Sequence, residues 1–149
     1  MKAQQVMTRS VITVNVDSEI KEVAAQVVDS RVSGFPVVTE DNRVVGIITE
    51  GDLIRRLREV QMPIFMDILG GMIPLKSLSS VEQQLHEITA TKVKDFMTTP
   101  AITVKEDTEL EEIADMMVKR NIKRVPVVDD DERLLGIVSR NDLGRAMVS

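Results

Sequence analysis

Two kinds of apolar spacing alternate along the chain, and each occurs twice. Residues 11–14 form a short β-branched run, the pattern of a strand. Asp17-Ser18-Glu19 then offers a helix start. Behind it, Ile20, Val23, Ala24, Val27 and Val28 stand at i, i+3, i+4, i+7 and i+8, which predicts one buried helix face. Phe35-Pro36-Val37-Val38 predicts a strand entered through its proline, with the proline at the strand's beginning or at an edge. A polar turn at 39–43 leads into a further strand at 44–49, and a helix opens near Gly51-Asp52. The same succession returns downstream. Asp107-Thr108-Glu109 precedes Leu110, Ile113, Ala114, Met117 and Val118 at helical spacing, followed by Val125-Pro126-Val127-Val128, a turn at 129–133, a strand at 134–139 and a helix near Asn141-Asp142. Each unit reads β-α-β-β-α.

The two units are copies of one another. A shift of 90 residues lays 7–57 on 97–147 without a gap, and roughly 20 of about 51 positions are identical. Met7-Thr8 meets Met97-Thr98, Ile12-Thr13-Val14 meets Ile102-Thr103-Val104, Gly46-Ile47 meets Gly136-Ile137, and Asp52-Leu53 meets Asp142-Leu143. One copy of about 50 residues buries too little surface to stand alone. The expectation is therefore an α/β (α+β) fold in which two β-α-β-β-α repeats pack as an intimate pseudo-two-fold pair. The chain divides into repeat 1 at 1–57, a helical linker at 58–92 and repeat 2 at 93–149. In the linker, Met62-Pro63 precedes an apolar stretch at 64–69, Gly70-Gly71 and Pro74 punctuate, and Val81, Leu85 and Ile88 share a helical face. Residues 58–69 read as a helix end and a short helix, and 80–90 as an amphipathic helix that covers apolar surface of the pair or forms a dimer contact.

Composition narrows the chemistry. The chain has 149 residues, no Cys, Trp or Tyr, three Phe and one His, with net charge −5. Thiol nucleophiles, thiolate zinc and iron–sulfur sites are excluded, and no metal site is expected. Base stacking has little aromatic surface to use, and the acidic balance speaks against nucleic acid as a partner. No apolar run is long enough to span a bilayer, and no secretory leader is evident. A cytoplasmic protein without membrane contact is expected. Asp129-Asp130-Asp131-Glu132 aligns with a turn and reads as one. His86 lies among linker-helix residues and reads as structural. Gly70-Gly71 lacks the Lys-Ser/Thr sequel of a phosphate loop. No nucleophile, base and oxyanion donors stand in recognisable order, so no catalytic residues are expected and the chain reads as a non-enzyme. Thr49-x-x-Asp52 and Ser139-x-x-Asp142 stand at helix starts, where an Asp serves either as a cap or beside a bound anion or hydroxyl.

The pattern Val93-Lys94-Asp95-Phe96-Met97-Thr98, Ile102-Thr103-Val104, Val125-Pro126-Val127-Val128-Asp129 and Gly136-Ile137-Val138-Ser139-Arg140-Asn141-Asp142-Leu143, repeated from Met7-Thr8 to Asp52-Leu53, resembles the cystathionine-β-synthase (CBS) domain. The whole chain looks like a stand-alone CBS pair, or Bateman module. The resemblance implies a regulatory sensor that binds an adenosyl compound (AMP, ADP, ATP or S-adenosylmethionine) in two clefts between the repeats and signals to a partner, with no cofactor required. It also implies a homodimer formed through the helices. Carried over residue by residue, one cleft combines Ser10, Ile12, Val32 and Ser33 with Lys123, Arg124, Ser139 and Asp142. The other combines Pro100, Ile102, Ile122 and Lys123 with Ser33, Gly34, Thr49 and Asp52. The Asp would take the ribose, and the hydroxyl and basic residues the phosphate. Because Lys123-Arg124 aligns with Ser33-Gly34, the Asp142 cleft is expected to hold a phosphorylated ligand. The Asp52 cleft is expected to bind more weakly, to prefer a less anionic ligand or to stay empty. An assembly protein with vestigial clefts and a nucleotide hydrolase are the alternatives.

Overall fold

The computed structural model describes residues 1–58, 82–83, 85–87 and 89–149. The elements are α1 (Ala3–Val6), β1 (Val14–Asn15), α2 (Ile20–Ser30), β2 (Gly34–Val38), β3 (Val44–Thr49), α3 (50–58), a 3₁₀ turn (Val93–Asp95), α4 (Leu110–Arg120), β4 (Arg124–Val128), β5 (Leu134–Ser139) and α5 (Arg140–Val148). In repeat 1, β1 runs parallel to β2, and β2 pairs antiparallel with β3. In repeat 2, β4 pairs antiparallel with β5, and a single parallel bridge from Val104 to Val127 stands where β1 stands in repeat 1. Asn42 and Glu132, both with φ 65°, close the two hairpin turns.

The halves exchange their leading segments. Thr8 trades backbone hydrogen bonds of 2.9 Å each way with Ile137, and Thr98 does the same with Ile47 at 2.8 and 3.0 Å. Ala3 and Met7 pack into the repeat 2 core with Ile113, Met117, Val125, Val127 and Val138. Val93, with Phe96 and Met97 beside it, packs into the repeat 1 core with Ile20, Val23, Phe35, Val37 and Ile48. Each exchange needs a glycine. A Cβ at Gly46 would lie 2.6 Å from Met97 Sδ and 2.9 Å from the Thr98 carbonyl oxygen. At Gly136 it would lie 2.7 Å from Met7 Sδ and 2.9 Å from the Thr8 carbonyl oxygen. A third cluster, Val38, Val44 and Val128 with Ala101 and Leu134, joins the two sheets. The hairpins are also tied by Val44 N–H to Glu132 O and Leu134 N–H to Asn42 O, both 3.0 Å.

Three expectations shift. The first strand of each repeat is shorter than the β-branched run: Val14–Asn15 in one and the lone Val104 bridge in the other. Helix α2 starts where Asp17-Ser18-Glu19 predicts, with Glu19 at its N-cap, but no side chain makes the cap bond. Val28 and Val118 stay 77% and 80% exposed. Eight residues after Ile20 or Leu110 a helix has turned about 80° past its starting face, which carries these valines off the core. The predicted linker features at 59–81 and at Ile88 lie outside the described residues.

Candidate functional site

A cavity of about 600 Å³ opens between the repeats. Its apolar wall is Pro100, Ala101, Ile102 and Ile122 from repeat 2, facing Ile47 and Ile54 from repeat 1. Its polar groups are Ser33, Thr49, Glu50 and Arg55 from repeat 1 and Thr98, Asn121, Lys123 and Arg124 from repeat 2. The exchanged segment contributes to it: Thr98 pairs antiparallel with Ile47, the Thr99 hydroxyl donates to Val45 O at 3.0 Å, and Thr98, Pro100 and Ile102 line the same cavity as Thr49. The corresponding pairing of Thr8 with Ile137 is also antiparallel, and beyond it Ser10 and the 38% exposed Ile12 lie at the surface.

Asp52 and Asp142 are the two buried charged residues among those described, at 8% and 5% exposure. Each closes a capping box. Asp142 Oδ2 accepts from the Ser139 N–H and Oγ–H, both at 2.8 Å, while the Asp142 N–H returns to Ser139 Oγ at 3.2 Å. Asp52 Oδ2 accepts from the Thr49 N–H at 2.8 Å and Oγ–H at 3.1 Å, with the same return bond at 3.2 Å. Ser139 is thus the N-cap of α5, and Asp142 reaches back to it from the first turn. The hydroxyl's single proton is spent on the carboxylate, so donating it to a phosphate means breaking that bond. Only Oδ1 of each Asp lies outside the cap. Arg55 covers Asp52 Oδ1, and Asp142 Oδ1 takes the Thr8 hydroxyl at 3.2 Å with Arg145 at 3.7 Å. Both arginine side chains are largely exposed, so they can yield to a ligand hydroxyl.

Arg124 departs from the expected division of charge. Its guanidinium lines the cavity on the Thr49 side together with Lys123 and donates from Nη2 to Ser33 Oγ at 2.7 Å. Lys123, expected in both clefts, and Arg124, expected at the phosphate position of the Asp142 cleft, thus both line the cavity that holds Thr49. The Arg124 side chain crosses the face of Gly34, where a Cβ would come within 1.9 Å of Arg124 Nη1. Burial lowers the Arg124 pKa from the usual arginine value by penalising the charged form. No carboxylate among the described residues pairs with it. A half-buried cation facing a cavity with one hydroxyl partner is an anion acceptor.

Of the residues expected in the Asp52 cleft, Pro100, Ile102, Ile122, Lys123, Ser33 and Thr49 line the cavity together. Gly34 and Asp52 sit behind its wall, one under Arg124 and the other under Thr49 and Arg55. Ser10 and the 37% exposed Val32, expected on the Asp142 side, lie at the surface. Glu50, Arg55, Thr98 and Asn121 were not singled out by the sequence. The signal for Arg55 was present, because Arg145 stands at the aligned position.

The CBS domain pattern matches residues 3–59 and 93–149. Protein MJ1426 of Methanocaldococcus jannaschii is 35% identical over 146 residues, covering 92% of this chain and 86% of that one. The crystal structure of MJ1225 from the same organism aligns with a TM-score of 0.78 at 32% identity, over 98% of this chain and 47% of that chain. The CBS domain pair of MJ0100, solved in complex with 5′-methylthioadenosine and S-adenosyl-L-methionine, aligns with a TM-score of 0.74 at 26% identity, over 99% of this chain and 96% of that chain. The two matched segments coincide with the two repeats: the chain is a pair of CBS domains and belongs to the CBS domain family.

Proposed function

We propose that this chain is a regulatory module that binds an adenosyl compound in the cavity between its repeats and passes the occupancy to a partner protein. The observation that carries the reading is Arg124, a half-buried guanidinium without a carboxylate partner among the described residues, in a cavity of about 600 Å³, a volume suited to a nucleotide. The apolar wall of Pro100, Ile102 and Ile122 would take the base. Asp52 Oδ1, once Arg55 yields, would take a ribose hydroxyl, and Lys123 and Arg124 would take a phosphate or another anionic tail. The ligand pair bound to MJ0100 supports the adenosyl class. Ser139, Asp142 and the segment from Ser10 to Ile12 would form a second cleft of the same plan. The division into 1–57, 58–92 and 93–149 belongs to this reading, with the linker reporting relative movement of the repeats. The exposed valines Val28 and Val118, at matching positions of α2 and α4, suit a homodimer through the helices. Nothing in this scheme calls on a catalytic group, a metal or a nucleic acid, and no described helix is long and apolar enough to cross a membrane.

Thermal unfolding with AMP, ADP, ATP, S-adenosylmethionine and 5′-methylthioadenosine tests the reading. A ligand at 100 times its Kd adds about 2.7 kcal/mol of stability, roughly 5–10 °C for a chain of this size. No shift with any of the five would overturn the adenosyl assignment and favour an assembly role. Turnover of ATP would favour an enzyme.

A further inference from the structure

The first helical residue after each capping hydroxyl carries opposite charge in the two repeats: Glu50 in repeat 1 and Arg140 in repeat 2. Both are exposed, and both are fixed by the same backbone bond. The Glu50 N–H donates to Ser33 O at 2.7 Å, and the Arg140 N–H donates to Lys123 O at 3.0 Å. Ser33 is also the residue whose hydroxyl accepts from Arg124. Glu50 is therefore bonded through its backbone to the same residue that holds the anion acceptor, and it lines the same cavity. No cation among the described residues forms an ion pair with it; Arg55 on the same helix pairs with Asp52 instead.

We propose that Glu50 is a specificity-determining residue that sets how much negative charge the Thr49 cleft accepts. Lys123 and Arg124 offer charge for one phosphate, and the unpaired Glu50 carboxylate repels each further phosphate at the same rim. The cleft is thereby matched to a nucleoside bearing at most one phosphate, or to one with a cationic tail, and it rejects di- and triphosphates. The inference rests on the adenosyl reading and goes beyond it by naming the ligand class and the residue that selects it.

Isothermal titration with AMP, ATP and S-adenosylmethionine against the full chain, Glu50→Gln and Glu50→Arg separates the two. Glu50 is exposed, so both variants are expected to fold, and an unchanged far-UV spectrum checks this. Wild type should prefer AMP and S-adenosylmethionine to ATP. Glu50→Gln should raise ATP affinity about tenfold relative to AMP and weaken S-adenosylmethionine. Glu50→Arg should exceed it in both directions, and the gain should shrink in high salt. An ATP-to-AMP affinity ratio unchanged in both variants, with AMP still bound, would overturn charge selection alone. Failure of every adenosyl compound to bind wild type would overturn the adenosyl reading, and this inference with it.

Discussion

Repeat 1 and repeat 2 align residue for residue and fold to the same hairpin and helices, yet they dress the space between them differently. Where repeat 2 has Arg124, Arg140 and Gly144, repeat 1 has Gly34, Glu50 and Ile54. Among the positions that stay identical are those of the exchange, Met7 and Met97, Thr8 and Thr98, Gly46 and Gly136, and the capping residues Asp52 and Asp142. The duplication has kept the exchange of segments and the capping boxes while freeing the cleft-facing side chains to diverge. Gly34 shows the consequence. Its missing side chain belongs to repeat 1, but it decides where an arginine of repeat 2 lies.

If the exchange is shared equally, breaking it on either side should cost the same. Gly46→Val and Gly136→Val each drive a side chain into a methionine sulfur and a backbone carbonyl. Each is expected to lose about 1–3 kcal/mol or more through overpacking, read as a drop of several degrees in thermal unfolding. Unequal losses would break the symmetry inferred for the two halves. At the cleft, the asymmetry should show in ligand affinity. Arg124→Met should weaken AMP by roughly tenfold to a hundredfold, the range for a charge-assisted hydrogen bond, while adenosine affinity measured by the same titration stays near wild type. Equal losses for both compounds would mean that Arg124 shapes the pocket without meeting a phosphate.

The capping boxes offer a finer comparison. Asp142→Asn and Asp52→Asn should each cost about 0.5–2 kcal/mol in urea unfolding. Asp142 should cost more, because it alone also accepts the Thr8 hydroxyl. The smallest effect concerns the repeat 1 turn. The Thr39 hydroxyl bond chiefly, with Arg43 nearby, lowers the pKa of Asp41. A lowered folded pKa means that the contribution is present above the unfolded value and lost as pH falls through the folded one. Wild type and Asp41→Asn should therefore differ slightly in stability at pH 6 and converge below about pH 4.

Much of this fold is legible in the sequence because its signals are local. Strands β3 and β5 fall at the residues that the β-branched runs predict, and Asn42 and Glu132 turn the chain where the polar residues cluster. The exchange of leading segments is not legible, since Met7 and Met97 look like ordinary apolar positions until Gly136 and Gly46 are seen beneath them. The same holds for the direction of Arg124. Alignment put it at a phosphate position, but which cleft it faces depends on space left by a residue 90 positions away. Glu50 escaped notice for another reason: an acid in the first turn of a helix is favourable anywhere, and only the cavity shows what else it faces.

The most direct test is a crystal structure of the full chain with AMP. The expected result is nucleotide between the repeats, its base against Ile102 and Ile122 and its phosphate within hydrogen-bond distance of the Arg124 guanidinium. AMP bound elsewhere, or in this cleft with Arg124 still on Ser33 and its phosphate turned away, would contradict the assignment.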